Sequence, residues 1–355
     1  MENTSPLAEI PQDEQDNGLY EHYRFDVADG QKPLRIDLYL KNFIESISRN
    51  KIQKVAENNS IWVNNEPVKA NYKVRSGDQI KILFDHPSYE FLLEPEPIPL
   101  DITFEDKYLL VVNKPPDMVV HPGHGNYRGT LINGILYYLL ESEDIPLNAN
   151  KTPALVHRID KDTSGLLVVA KTTTAMEGLA KQFFEKTSER EYIALVWGNV
   201  EQDNGTIVGN IGRHPKNRLQ MTVFGKGDFG KEAVTHFEVL ERFVHTTLIS
   251  CRLETGRTHQ IRVHLKHIGH TLFNDKRYGG DTILKGTVYS KYKQFVENCF
   301  QILPRQALHA KRLGFLHPIT KEKMSFDSAL PEDMEGVISK WRKYSETTAY
   351  SKEYE

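Results

Sequence analysis

Ala154-Leu155-Val156-His157-Arg158-Ile159-Asp160-Lys161-Asp162-Thr163-Ser164-Gly165-Leu166-Leu167-Val168-Val169-Ala170 is the stretch from which the rest of the chain is read. Two apolar runs flank a polar loop that crowds two acids, a histidine, an arginine and two hydroxyls together. Flanking strands apolar on both faces are buried on both sides, so the loop hangs from a rigid scaffold, where active-site loops tend to sit. A surface hairpin is the plainer alternative, because an Asp in a turn usually only caps its own backbone. Against it, Arg158 stands two residues before Asp160 and can hold a cation and a carboxylate near one anionic substrate.

Three chemistries compete for this loop. His157-Arg158-Ile159-Asp160 has the form of a kinase catalytic loop, but the chain lacks a Gly-rich phosphate loop, a partnered Lys strand and Asp-Phe-Gly, which excludes a kinase. Asp160 with Asp162 offers a glycosidase-like pair, weakened because residues i and i+2 of an extended loop point oppositely. The third is a single carboxylate acting as nucleophile or electrostatic stabiliser at a sugar carbon.

Around the loop, residues 101–344 read as one large domain. Short β-branched runs at 109–112, 166–170, 192–196, 234–240 and 247–253 are irregularly spaced, with no βαβ rhythm. That pattern predicts an α+β fold around a mixed, mostly antiparallel sheet. Tyr192 shares a strand face with Ala194 and Val196, so it is a core tyrosine or a ring facing a cavity. The spacing predicts a helix over 258–267, with Ile261 and Leu265 inward and Arg262 at the edge of that stripe, as a surface cation or one half of a partly buried ion pair. His259, His264, His267 and His270, with Asp275 beyond, raise a metal site. No Glu general base accompanies them and Arg257 and Arg262 repel a cation, so the expectation is no metal and no cofactor.

Four ordered blocks then carry a resemblance. His157-Arg158-Ile159-Asp160 with Thr163-Ser164-Gly165-Leu166-Leu167 resembles the signature loop of the RluA-like pseudouridine synthases. Val112-Asn113-Lys114-Pro115 with Val120-His121-Pro122-Gly123 is similar to that family's first block. Arg190-Glu191-Tyr192-Ile193-Ala194 is similar to the strand with its active-site tyrosine, and the 253–264 segment, Glu254-Thr255-Gly256-Arg257-Thr258-His259-Gln260-Ile261-Arg262 at its centre, to the late block. One departure is Asp117, where the family often has Gly in a turn.

The resemblance implies isomerisation of uridine to pseudouridine in structured RNA, a reaction needing neither redox step nor energy input. It implies Asp160, Tyr192 and Arg262 as catalytic residues: Asp160 acting at the ribose or the base, Tyr192 stacking on uracil near the proton lost from carbon 5, and Arg262 holding Asp160 ionised. Arg158, His157 and Ile261 would flip and bind the target nucleotide. Arg213, Lys216 and Arg218, from a basic arm between two strands, and Arg257 and His259 would contact RNA, the histidines as hydrogen-bonding or cationic partners of phosphate.

Residues 32–85 form a separate basic module, with nine Lys/Arg against five acids over 34–84. Asp37 is expected to cap a first helix and Ser48 a second, whose outer face carries Arg49, Lys51 and Lys54. Arg35-Ile36-Asp37, Ser48-Arg49, Ile61-Trp62-Val63-Asn64-Asn65 and Val74-Arg75-Ser76-Gly77-Asp78 resemble an S4 RNA-binding domain. Asn58-Asn59 stands where such modules often end the second helix on Gly, and Asn tolerates the left-handed conformation that position needs. The proline-rich 86–100 stretch reads as a linker. Residues 1–31, with eight acids and one Arg, and 345–355 read as polar tails without fixed structure.

With 45 Lys+Arg against 48 Asp+Glu, net charge neither demands nor forbids nucleic acid. Cys251 and Cys299 give no disulfide framework, and no apolar run reaches the ~18 residues of a membrane span. The expectation is a cytoplasmic monomer without a membrane span, and the resemblance implies RNA as its partner, a large-subunit ribosomal RNA stem-loop or a pre-ribosomal particle. A transfer RNA or another ribosomal site is the alternative within the family. A ribosome-assembly factor that binds RNA without catalysis is the alternative outside it.

Overall fold

The structure is a computed structural model that describes residues 19–44, 48–84, 93–123, 125–142, 153–225, 229–287 and 289–353, with side-chain environments as far as residue 348. Its contacts divide into two compact units. One runs to Glu94 and includes Pro122–Arg128; the other comprises Pro95–His121 and everything from Gly129 onward.

In the first unit, strands β1 (Tyr20–Asp26), β2 (Leu34–Arg35), β3 (Ile61–Val63), β4 (Glu66–Pro67), β5 (Lys73–Val74) and β6 (Gln79–Phe84) accompany helices α1 (Ile36–Lys41) and α2 (Arg49–Glu57). The main sheet has the order β1-β6-β3-β4. Alternate residues Ile61, Val63, Ile80 and Ile82 meet Ile36, Leu40, Ile52 and Ala56 from the helices, which makes the small core. Ser48 caps α2 by accepting from the Lys51 N–H at 3.3 Å, and Asn59 ends it in the left-handed region at φ 57°.

Three expectations are corrected here. Residues 20–26 are not tail: they pair antiparallel with β6, and their polar sequence reflects an edge strand with mostly exposed side chains. Asp37 does not cap α1, whose N-cap is Arg35. Its buried carboxylate instead accepts from Arg35, Arg49 and Gln53. Arg49 is therefore tied to Asp37 at 2.9 Å rather than standing free beside the exposed Lys51 and Lys54. Residues 1–18 and 85–92, the latter including the first seven residues of the linker stretch, lie outside the described residues.

The second unit is built on an eleven-stranded sheet. In chain order it has β7 (Ile102–Glu105), β8 (Leu109–Lys114), α3 (Leu131–Glu141), β9 (Ala154–Leu155), β10 (Ser164–Ala170) and α4 (Thr173–Phe184). Next come β11 (Glu189–Trp197), β12 (Asn204–Arg213), β13 (Met221–Phe224), β14 (Lys231–Arg242), β15 (Thr246–Leu253) and α5 (Gln260–His267). The last elements are α6 (Ser290–Ile302), β16 (Leu308–Leu316), β17 (Lys323–Asp327) and α7 (Glu332–Glu353). The strand order is β13-β12-β14-β15-β11-β16-β10-β8-β7, with β17 on β16 and β9 on β10. Every described pair is antiparallel except β10 with β16, which gives the mixed, mostly antiparallel α+β sheet expected.

Both faces of the central strands are covered, as their continuous apolar sequences require. Leu110, Val112, Leu167, Val169, Ala194 and Val196 pack on one side against α3 and α5. Ile193, Leu195 and Trp197 pack on the other against α6 and α7, and Val111, Leu166 and Val168 against α4. Residues 345–353, expected as a polar tail, continue α7. Tyr344 stacks on Phe295 at 4.6 Å and Ser345 accepts from the Val244 N–H, so a polar sequence is held helical by anchors just before it. No described helix is long and apolar enough to cross a membrane.

Candidate active site

The loop between β9 and β10 is fixed from beneath by two buried cations. Lys114 at the end of β8 is fully buried and donates to the carbonyls of Pro115 at 2.6 Å and Lys161 at 3.0 Å. Burial pushes its ammonium down to about 7, while Asp162 and Asp160 pull it back up and Arg305 pushes it further down. Arg305 is held by Asp333 and donates to the Asp162 carbonyl at 2.9 Å. Gly165 closes the scaffold: its φ is 115°, and a Cβ there would overlap the Ala310 carbonyl on parallel neighbour β16, so no other residue permits this approach. Asp117, the departure in the first block, sits at φ 62°, a conformation Asp tolerates, with its carboxylate exposed beside Lys161 at 3.1 Å.

Asp160 projects from this loop into a cavity of about 570 Å³. Its Oδ2 accepts from Arg262 Nη1 at 2.9 Å, and Oδ1 has no hydrogen-bond partner among the described residues. Arg262 in turn places Nε and Nη2 on the fully buried Asp275 at 2.7 and 2.8 Å. Asp275 is fixed by the backbone N–H groups of Arg277 and Tyr278, and the Tyr278 ring lies 5.0 Å beneath the Arg262 guanidinium. Burial pushes the Asp160 carboxyl upward, but His259, Arg262 and Arg158 outweigh it and hold it below the usual range. Burial holds the imidazole of His259 itself down at about 4, so at neutral pH the balancing cations are the arginines. Burial opposes the charge on Arg262, and its bonds to Asp275 and Asp160 more than restore it. The result is an ionised carboxylate with one oxygen fixed and the other free.

Tyr192 borders the same cavity from β11 and is almost wholly buried; burial raises its phenol, the Arg190 charge works against that, and Asp160 adds to it. Arg158 is exposed at the rim and Ile261 is buried in the wall. The helix expected from 258 begins at Gln260, because His259 takes φ 55° and its Nδ1 is bonded to the Tyr278 hydroxyl at 2.8 Å. In the chain without RNA, His259 is thus a hydrogen-bonding group of the cavity wall. His157 borders the cavity, yet its Nε2 accepts the Val168 N–H and its ring stacks on Phe183 at 4.5 Å, so it ties the loop to β10. His264 is fully buried on Thr235, also held neutral by burial, down to about 4.

Arg213 is the exposed last residue of β12, and Lys216 and Arg218 lie on the exposed arm between β12 and β13; none of the three lines the cavity. Arg213 donates to the Arg218 carbonyl, and the arm meets the site through Gln220 on the Arg277 carbonyl and the Met221 N–H on Tyr278. Arg257 lines the cavity with its Nε on the Glu232 carbonyl. Asp275, considered only as a metal ligand, and Lys114, quoted without a role, escaped the sequence reading as parts of the site. A chance of finding Asp275 lay in the acid just past the Arg262 helix.

Comparison with known proteins places these residues in context. The RNA pseudouridylate synthase family model matches residues 108–267, and the S4 domain model matches 34–80. An uncharacterized RNA pseudouridine synthase of Chlorobaculum parvum is 46% identical over 318 residues, covering 89% of this chain and 97% of the relative. The ribosomal large subunit pseudouridine synthase D of Nitrosomonas europaea is 40% identical over 312 residues, covering 88% and 86%. Among solved structures, human RNA pseudouridylate synthase domain containing 1 matches 69% of this chain and 89% of its own, at 25% identity and a TM-score of 0.52.

Proposed function

We infer that this chain, which belongs to the RNA pseudouridine synthase family and carries an N-terminal S4 domain, isomerises uridine in large-subunit ribosomal RNA with Asp160 as its catalytic carboxylate. The observation that carries the role of Asp160 is its asymmetry: one oxygen is fixed by Arg262 and the other is open to the cavity.

The reaction breaks the bond between uracil N1 and the ribose, turns the base, and forms a bond from carbon 5 to the same sugar carbon. Carbon 5 then loses a proton and N1 gains one, so nothing is oxidised. Asp160 supplies the charge that attacks or stabilises the reacting centre. Its low proton affinity and the rigid loop beneath it keep it ionised and placed without rearrangement. Tyr192 offers a ring face to the turning uracil, and its phenol stands near the carbon 5 proton. Arg158 at the rim fills the gap left by the flipped nucleotide, whose unstacking costs a few kcal/mol. Arg262 acts through Asp160. The exposed Lys51 and Lys54 of the S4 domain and the cations of the β12–β13 arm hold the surrounding RNA.

Large-subunit RNA is favoured by relatives named for that substrate that match nearly the whole chain. The protein acts in the cytoplasm as a monomer, on free ribosomal RNA or a pre-ribosomal particle. The test is carbodiimide-based pseudouridine mapping of total RNA from cells lacking the gene, complemented by wild type or Asp160→Asn. Loss of discrete sites in 23S RNA, restored only by wild type, is expected. Sites lost from transfer RNA would reassign the substrate, and full rescue by Asp160→Asn would reduce the protein to an RNA-binding assembly factor.

A further inference from the structure

Arg190 is a buried cation in the cavity wall without a carboxylate. It stands on β11 two residues before Tyr192, so both side chains project from one face of the strand toward the same cavity. It is only 8% exposed. Among the described residues it forms no ion pair, in contrast to Arg262 and Arg305, which are equally buried and each hold an aspartate. Its acceptors are two backbone carbonyls at the long limit of hydrogen bonding, Leu253 at 3.3 Å and Glu254 at 3.4 Å, both from Nη2. Nε is buried with no partner at all. One face of the guanidinium lies 5.3 Å from the Phe183 ring, whose other neighbour is His157.

A buried, uncompensated guanidinium is costly, and folding alone gives no return for it. The missing component is an anion, and space is kept for one. Gly256 also borders the cavity, and a Cβ on it would come within 3.1 Å of Arg190 Nη1. The open side of the guanidinium thus faces a gap lined by a residue with no side chain. Nη1, which has no acceptor among the described residues and is not sealed as Nε is, can donate to an oxygen of a phosphodiester.

We propose that Arg190 receives a backbone phosphate flanking the uridine that enters the cavity, and so anchors the flipped nucleotide while Asp160 acts on it. The phosphate supplies the counter-charge that the folded protein lacks. Arg190 is then a binding residue whose contribution falls on affinity. This rests on the assignment of RNA as substrate.

The test uses the full chain and stem-loop transcripts of large-subunit RNA containing the sites mapped above. In wild type, the phosphates nearest the target uridine are replaced one at a time by neutral methylphosphonates. One of them is expected to weaken binding about tenfold, the worth of one charged hydrogen-bonded contact. Arg190→Met is expected to raise KM by a similar factor with kcat nearly unchanged. It should also make the dependence of log affinity on log salt shallower by about 0.7, one phosphate on a single strand. Arg190→Lys should restore the salt slope but not the full affinity. In Arg190→Met the critical methylphosphonate should cost nothing further. If no single neutral linkage weakens wild type, or if Arg190→Met keeps the wild-type KM and salt slope, the proposal is overturned. Wild type that forms no pseudouridine in any RNA would instead overturn the functional assignment on which it rests.

Discussion

Two carboxylates buried among arginines, one in each unit, are used in opposite ways. Asp37 in the N-terminal unit is fully enclosed, and its oxygens are taken up by Arg35, Arg49 and Gln53. Asp160 accepts from a single arginine and leaves an oxygen facing the cavity. Asp37 closes a structure by using its acceptors; Asp160 holds one acceptor in reserve. The capacity that Arg262 would otherwise spend on Asp160 is directed instead to Asp275, which is as closed as Asp37. Satisfaction of hydrogen bonds therefore separates the closed carboxylate from the open one more sharply than charge pairing does.

The sharpest way to break this comparison is Asp160→Asn. The amide oxygen still accepts from Arg262, so the unfolding free energy should fall by no more than about 1 kcal/mol. Turnover should fall on the order of 10⁴-fold or more, the usual cost of removing a reacting group. A single-turnover assay with radiolabelled stem-loop RNA reads the rate, and chemical denaturation reads the stability. Comparable losses in both would mean Asp160 is another Asp37.

Acid should separate the two units next. Burial holds His157 at about 3 and His264 and His309 at about 4, below the ordinary value near 6.5. The unfolded chain therefore binds their protons first, so this stability is present above 6.5 and is lost as pH falls from 6.5 toward 4, by roughly 1–3 kcal/mol for each group. Asp37, pushed up by burial but held far below the carboxylate range by its hydrogen-bonded arginines and glutamine, keeps its contribution until pH drops below 3.8. The catalytic unit should therefore melt first on acidification. Indole signals in a nitrogen–proton correlation spectrum report it directly, with Trp197 and Trp341 collapsing before Trp62. The reverse order would mean that the buried histidines do not govern acid stability.

Asp37→Asn is the converse of the first substitution. It leaves Arg35 and Arg49 without their counter-charge, but both are part-exposed and can turn to water, so the loss should be about 1–3 kcal/mol and confined to the N-terminal unit. Hydrogen exchange should rise in α1 and α2, while kcat on saturating RNA stays at the wild-type value. A fall in kcat would show that the closed cluster serves catalysis after all.

The sequence made some of this legible and hid the rest for physical reasons. Asp160, Tyr192 and Arg262 were singled out by the resemblance of their sequence blocks to the family, while the local patterns (a polar loop between apolar strands, alternation along β11, a helical stripe) left each role open. Ser48 and Asn59 could be read because a helix end is specified by its own residues. Partnerships across the chain are not in the local pattern: the Arg262–Asp160 pair was expected only through the family resemblance, and the contact of Lys114 with the loop not at all. Arg262 meets Asp160 over 102 residues, and Lys114 meets the Lys161 carbonyl over 47, so no window contains both ends. β1 and the end of α7 were missed because polar sequence says nothing about pairing at a sheet edge or about anchors elsewhere. Asp37 was misread as a cap because its true role depends on two arginines and a glutamine that only folding assembles around it.

Asp117→Gly should have the smallest effect, and it extends the comparison to a third carboxylate, one exposed to solvent. Asp117 departs from the glycine common in its family, yet it occupies a left-handed conformation that glycine adopts freely. Relief of strain should return about 1 kcal/mol, and the greater freedom of glycine in the unfolded chain should take back 0.5–1. The ion pair with Lys161 is exposed and contributes little. These terms nearly cancel, so melting temperature and kcat should both stay close to wild type. A clear fall in kcat without loss of stability would mean that Lys161 must be held outward to keep its charge from competing with Arg262 for Asp160. In that case the free oxygen of Asp160 would depend on an exposed acid as well as on the buried one behind Arg262.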